Sequence, residues 1–108
     1  ITYSTSSRLV KEDIEEIPYG LEAIKKLSAK KYKRTDGDKN DEIGFIADEV
    51  KTVAPQYVKE GKGFVNGNPV TDFKSLSMMR MIPMLVKALQ EADDKIDALE
   101  ARIKTLES

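Results

Sequence analysis

Residues 78–106 read MMRMIPMLVKALQEADDKIDALEARIKTL, and the spacing of their apolar side chains decides the fold. Met78, Ile82, Leu85, Leu89, Ala92, Ile96, Leu99, Ile103 and Leu106 follow one another at steps of 4, 3, 4, 3, 4, 3, 4 and 3. That is an unbroken heptad repeat, with Ile82, Leu89, Ile96 and Ile103 at a and Met78, Leu85, Ala92, Leu99 and Leu106 at d. A straight helix drifts off such a repeat, whereas a supercoiled assembly keeps it. In the second half the e positions are Asp93, Glu100 and Glu107, and the g positions include Lys95 and Arg102. In a parallel assembly Lys95 faces Glu100 of a neighbour and Arg102 faces Glu107, both of opposite sign. Exposed pairs of this kind contribute roughly 0–1 kcal/mol each, so they set register more than stability. In the first half the flanks Met79, Met81, Val86 and Ala88 are all apolar. The seam there is too wide for a two-chain zipper alone, so it packs on the globular part or on more than one neighbouring helix. Ile at a with Leu at d leans toward two chains and the wide flanks toward three, and both counts stay open here. The plainer alternative is one helix buried on its own core. Asp72 or Ser75 can cap the start of the helix, and Pro83 predicts a kink or break near Met79.

Upstream, Leu21, Ile24 and Leu27 fall at helical spacing, with Glu22 four before Lys26, and predict a short amphipathic helix. Residues 29–34 read as a strand and 35–42 as a turn around Asp36-Gly37, with Ile43–Ile46 as the return strand. Ala47, Val50 and Val53 predict a helix that Pro55 stops. Gly61-Lys62-Gly63 reads as a turn, and Asn66-Gly67-Asn68-Pro69 as the tip of a second hairpin. Residues 1–10, rich in Ser and Thr, read as an extended arm or short strand. The expected architecture is α+β: a small antiparallel sheet with short helices and a long C-terminal helix that forms a parallel coiled coil.

Composition narrows the chemistry. The 108 residues carry 18 Lys+Arg against 19 Asp+Glu, a formal net charge of −1. That balance gives no general attraction to nucleic acid or to an anionic membrane. No apolar run approaches the roughly 20 residues that span a bilayer, and residues 1–11 hold no hydrophobic block of signal-peptide kind. Cys and His are both absent. Disulfides, thiol catalysis and Ser-His-Asp catalysis are thereby excluded, as are thiolate and imidazole metal sites. No G-x-x-x-x-G-K-[ST] phosphate loop occurs, and no cofactor is expected. Asp36, Asp38, Asn40, Asp41 and Glu42 resemble a calcium loop, but Gly37 falls at the wrong place, so a solvated hairpin turn is expected. The basic run from Lys25 to Arg34 is interleaved with acidic neighbours and reads as a solvated face. Ser6 and Lys11, five apart, can form the one hydrolytic pair available without His, a serine activated by a lysine. On spacing alone an ordinary surface pair is the default, and Glu12 and Asp13 favour a charged Lys11.

Three stretches in order carry a resemblance to a known family. Ser6–Ile14, SSRLVKEDI, is similar to an opening of the form Ser-Asp-x-Arg-x-Lys-x-Asn-Ile. Ile43–Val50, IGFIADEV, is close to I-G-F-I-A-Q-E-V, with Pro55 following at the expected distance. Ile82–Leu89, IPMLVKAL, matches a terminal x-P-L-L-V-x-A-L helix that leads into a coiled coil. The chain resembles the C-terminal intramolecular chaperone domain of phage tailspikes, tail fibres and neck appendages, the chaperone-of-endosialidase family.

The resemblance implies a homotrimer that brings together and templates an upstream β-rich region of the same polypeptide, then cuts itself off with a Ser-Lys dyad. It implies Ser6 as nucleophile and Lys11 as general base, in an arm over 1–10, ahead of a chaperone core over 11–74 and a coiled-coil helix over 75–108. Where the family has Asp after the serine, this chain has Ser7. The family's Arg stands three after the serine, whereas Arg8 stands two after Ser6. Anchoring on Arg8 makes Thr5 the boundary residue, and Ser7 is a third choice. The site of action implied is the bacterial host cytoplasm during phage assembly, with the upstream product going to the virion tail. Two rival functions are a permanent trimerisation cap that never cuts and a coiled-coil adaptor for a foreign helix.

Overall fold

Leu21, Ile24 and Leu27 need an apolar surface to face, and the first turns of the C-terminal helix supply it. In this computed structural model, which describes residues 3–37 and 39–108, helix α1 (Leu21–Lys26) packs against helix α3 (Ile82–Glu107). Between them in sequence lie strands β1 (Lys30–Lys33) and β2 (Asp41–Gly44), helix α2 (Ala47–Val53), and strands β3 (Val58–Val65) and β4 (Asn68–Leu76). The class is α+β, as expected, but the strands form two separate two-stranded antiparallel sheets rather than one.

In the first sheet Lys30 opposes Gly44 and Lys33 opposes Asp41. The return strand therefore starts two residues earlier than the apolar run Ile43–Ile46 suggests, and Phe45 and Ile46 leave the sheet to enter α2. Gly37 takes a positive φ of 62° in the connection, which its lack of a side chain allows. Asp38 lies outside the described residues, as do residues 1 and 2 of the expected arm. In the second sheet the expected hairpin forms, but its tip is only Asn66 (φ 50°) and Gly67 (φ 81°), because Asn68 and Pro69 already pair within β4.

Gly61-Lys62-Gly63, expected as a turn, is instead part of β3, with a register shift between Gly61 and Gly63. The reason is packing: a Cβ on Gly63 would lie 2.6 Å from the Phe73 ring, so glycine is there to admit the cross-strand aromatic. Asp72 and Ser75, offered as helix caps, both sit inside β4, which runs on to Leu76. The break expected near Met79 is a 3-10 turn over Met79–Met81, and α3 begins only at Ile82. Pro83 then falls in the first helical turn, where its missing N–H has no intrahelical acceptor to lose.

The buried core is small. Val50, Met81 and Met84 form its centre, and Ile17, Tyr19, Ile24, Leu27, Tyr57 and Leu76 are among the half-buried residues packed around it. Tyr19 and Tyr57 meet as a tilted ring pair with centroids 5.8 Å apart. Polar pins tie the pieces together. Lys74, whose side chain is only 11% exposed, binds Asp48 of α2 at 2.7 Å and Asp72 of its own strand at 2.6 Å. Those hydrogen bonds, to Asp48 first, raise the Lys74 pKa, and the bond from Lys74 lowers that of Asp72. The radius of gyration, 19.2 Å, exceeds the roughly 13 Å of a compact domain of this length, because the far half of α3 projects as a rod.

Candidate functional site

The heptad stripe of α3 is exposed. Apart from half-buried Ala92, its members from Ile82 to Leu106 keep between 52% and 84% of their surface accessible, while Met78, expected as the first seam residue, lies ahead of the helix before the 3-10 turn and keeps 51%. The side of α3 that serves its own domain is a different one, made by Met84 and Ala88, with Met81 just ahead of the helix. The plainer alternative, a stripe spent on its own core, is thus overturned for this chain. The wide flanks in the first half separate cleanly: Met81 and Ala88, on the g side, are buried in the domain, while Met79 and Val86, on the e side, stay exposed. A partner approaching the stripe therefore meets a broadened apolar face beside the globular part and a narrow one beyond it. Lys95, expected to face Glu100 of a neighbour, stands 3.8 Å from Glu22 of α1 within the chain, a contact between two exposed side chains.

The arm brings the second candidate together. Ser7 precedes a short 3-10 turn, Arg8–Val10, and accepts a hydrogen bond from the Leu9 N–H at its Oγ (3.2 Å). The Val10 N–H donates to the Ser7 carbonyl and the Lys11 N–H to the Arg8 carbonyl, each at 3.1 Å. This bend carries Lys11 back toward Ser6, and Lys11 Nζ donates to Ser6 Oγ at 2.8 Å. The pair that spacing alone could not distinguish from ordinary surface is thus in hydrogen-bond contact. Thr5 and Ser7, the rival boundary residues, flank it. Residues 3–16 are all exposed, Leu9 to 95%, and Asp13 adopts a positive φ of 52°.

Two side chains of α3 hold the start of the core next to this arm. Lys87 Nζ donates to the Ile17 carbonyl, and Glu91 Oε1 accepts from the Leu21 N–H at 2.9 Å, capping α1 from across the fold. Gly20 leaves room for that carboxylate, since a Cβ there would lie 1.8 Å from Glu91 Oε1. Sequence reading missed both residues, which look like solvated positions of a coiled coil; no local pattern marks them. The Ser7 cap was within reach, because a serine before a helical turn is a standard cap residue.

The acidic connection is pinned by an ion pair of its own. Asp36 takes a two-pronged pair from Arg34, Nε to Oδ1 at 2.8 Å and Nη2 to Oδ2 at 3.0 Å. That bond holds the Asp36 carboxyl below its ordinary pKa range. Among the described residues no cluster of three acidic side chains is placed to hold an ion. The basic run is largely paired, Lys31 with Asp41 at 3.2 Å and Lys30 with Glu49 at 3.8 Å among others. Among the described residues no helix is long and apolar enough to cross a membrane.

Comparison with curated proteins finds no match. A family model, that of the peptidase family described as chaperone of endosialidase, matches residues 6–59. The matched stretch begins at Ser6 and takes in Lys11 and the Ile43–Val50 motif, while the Ile82–Leu89 motif lies beyond it. With half of its 108 residues matched, the chain belongs to the chaperone-of-endosialidase family.

Proposed function

We propose that the chain is an intramolecular folding chaperone that assembles as a parallel homotrimer through α3 and releases itself by autoproteolysis at Ser6. The observation that carries the release is the 2.8 Å contact between Lys11 Nζ and Ser6 Oγ in the first residues of the family match. The exposed heptad stripe, with opposite signs at g and e, supports the assembly.

The chemistry needs no cofactor. With its amine unprotonated, Lys11 takes the Ser6 hydroxyl proton as Oγ attacks a peptide carbonyl carbon at the boundary. The C–N bond breaks, the proton held on Lys11 passes to the leaving amine, and water hydrolyses the resulting ester to regenerate the serine. Lysine becomes a base when burial disfavours its ammonium. Both side chains are exposed in a single chain, so cover by a neighbouring copy or by the upstream region is part of the mechanism. Exposed Leu9, Val10 and Ile14 offer the apolar surface for that cover.

The chaperone action follows from topology. A fibre-forming β region has long-range pairings and slow registration. Three chains zipped in common register raise the effective concentration of their upstream segments. Loss of the zipper after folding leaves the product kinetically trapped. The partners are two further copies and the upstream β-rich region. The setting is the host cytoplasm during phage assembly, with the released product passing to the virion tail.

Exposure of the pair favours one second reading, a trimer clamp that is never cut. Intact mass of a version extended upstream, native and as Ser6→Ala, separates the two. A native chain that splits next to Thr5, Ser6 or Ser7 while Ser6→Ala stays whole supports self-release. Trimers of both that stay whole establish the clamp.

A further inference from the structure

We propose that Ser7 is the positioning residue of the Ser6–Lys11 pair: its hydroxyl caps the turn that folds Lys11 back onto Ser6. The inference rests on the autoproteolytic reading of that pair. Five residues of extended chain separate their backbones by as much as about 17 Å, so the contact exists only because the chain bends. The bend consists of the three hydrogen bonds to Ser7 Oγ, the Ser7 carbonyl and the Arg8 carbonyl. The turn has three residues and buries none of them. Helical structure that short does not persist on propensity, and here no burial of the turn supports it. The cap therefore carries an unusual share of the local order.

The two adjacent hydroxyls have different work. Ser6 Oγ receives the lysine, and Ser7 Oγ receives the Leu9 amide. This division selects Ser6 over Ser7 as nucleophile. It also explains how serine stands where the family resemblance has aspartate, because both are strong cap residues. The Ser7 hydroxyl touches no reacting atom in this scheme and acts through the turn.

The test uses the full chain behind an N-terminal reporter domain, with cleavage followed by intact mass and assembly by light scattering. Removing a cap shifts a local helical equilibrium by roughly three- to tenfold. Ser7→Ala is expected to slow cutting by that factor with the cut bond and assembly unchanged. Ser7→Asn and Ser7→Thr, which keep a capping oxygen, are expected to cut within about twofold of the native rate. A native rate in Ser7→Ala overturns the positioning role, as does failure of Asn and Thr to restore the rate. A Ser7→Ala chain as inert as Ser6→Ala makes Ser7 the nucleophile and overturns it as well. Those outcomes require a native chain that cuts. A native chain that stays whole overturns the proteolytic reading beneath, and the positioning role with it.

Discussion

Replacing Ile96 by aspartate tests the assembly at its most exposed point of principle. Ile96 occupies an a position on the projecting half of α3 and is 52% exposed in the single chain. Full burial of such a side chain is worth roughly 1.5–3 kcal/mol, so the surface still available for burial is worth about 0.8–1.5 kcal/mol per chain, or roughly 2–5 kcal/mol over three chains. The substitution removes that gain. It also places three carboxylates in the seam, each costing more to bury without a partner than the roughly 1–3 kcal/mol of a neutral polar group. The sum is at least about 5 kcal/mol, more than a thousandfold in the association constant. Light scattering at micromolar concentration is expected to give three times the 12.1 kDa chain mass for the native protein and the single-chain mass for Ile96→Asp. Ala101→Glu, on the opposite heptad position f, is the control and should stay assembled. An Ile96→Asp protein that retains the full trimer mass would falsify the seam. A native chain that scatters as a monomer would sink the trimer and favour an adaptor for a foreign helix.

Three further outcomes follow from the fold. Met84 is fully buried at the centre of a small core, and Met84→Ala should cost about 2–5 kcal/mol, read as a lowered urea midpoint with unchanged slope. Gly63→Ala should cost about 1–3 kcal/mol, because the new methyl meets the Phe73 ring; a second change, Phe73→Ala, should make the Gly63 change nearly silent, and an undiminished cost would reject the packing account. Thermal melting should be flat from about pH 5 to 9 and weaken on either side. Asp36 and Asp72 are held below their ordinary values by bonds from Arg34 and Lys74, so their contribution exists above the carboxylate range and is lost as pH falls below about 4. Lys74 is raised by Asp48 and Asp72, so its contribution is complete below the ordinary lysine range and fades as pH climbs above about 10. With no histidine in the chain, a steep change near pH 6.5 would contradict this assignment.

What could be read in advance divides along the range of the interactions. The stripe on α3 was legible because seven-residue periodicity is a property of one helix, and the surface it marks is the one left uncovered. The Asn66-Gly67 tip was legible because positive φ is a local demand. Gly61 and Gly63 misled because a glycine that makes room for Phe73 looks, in sequence, like a glycine that makes a turn. The start of α3 was misplaced because Asp72 and Ser75 are sound caps in isolation, while their pairing with β3 is a cross-strand fact. Division into two sheets is likewise a matter of which strands meet. At the candidate site, Ser6 and Lys11 were paired on spacing and given roles by the family motif, and their contact required the turn geometry. Lys87 and Glu91 were invisible, since each acts on backbone seventy residues away.

Those two side chains have a mechanical consequence. The helix proposed to join the chains is the same helix that grips Ile17 and Leu21, so the arm hangs from the assembly axis by a fixed root. From Ile17 back to Ser6 is a leash of eleven residues, with a maximum reach of roughly 40 Å. With the Arg8–Val10 turn kept folded, the free part from Lys11 to Ile17 still spans roughly 20 Å. A leash of this length, rooted beside a shared axis, can bring the serine of one copy to the boundary of the next. Whether each copy severs itself or its neighbour then becomes a question of leash length, and mixed trimers of native and Lys11→Met chains would answer it, because a Lys11→Met chain keeps its boundary but can be cut only by a native neighbour.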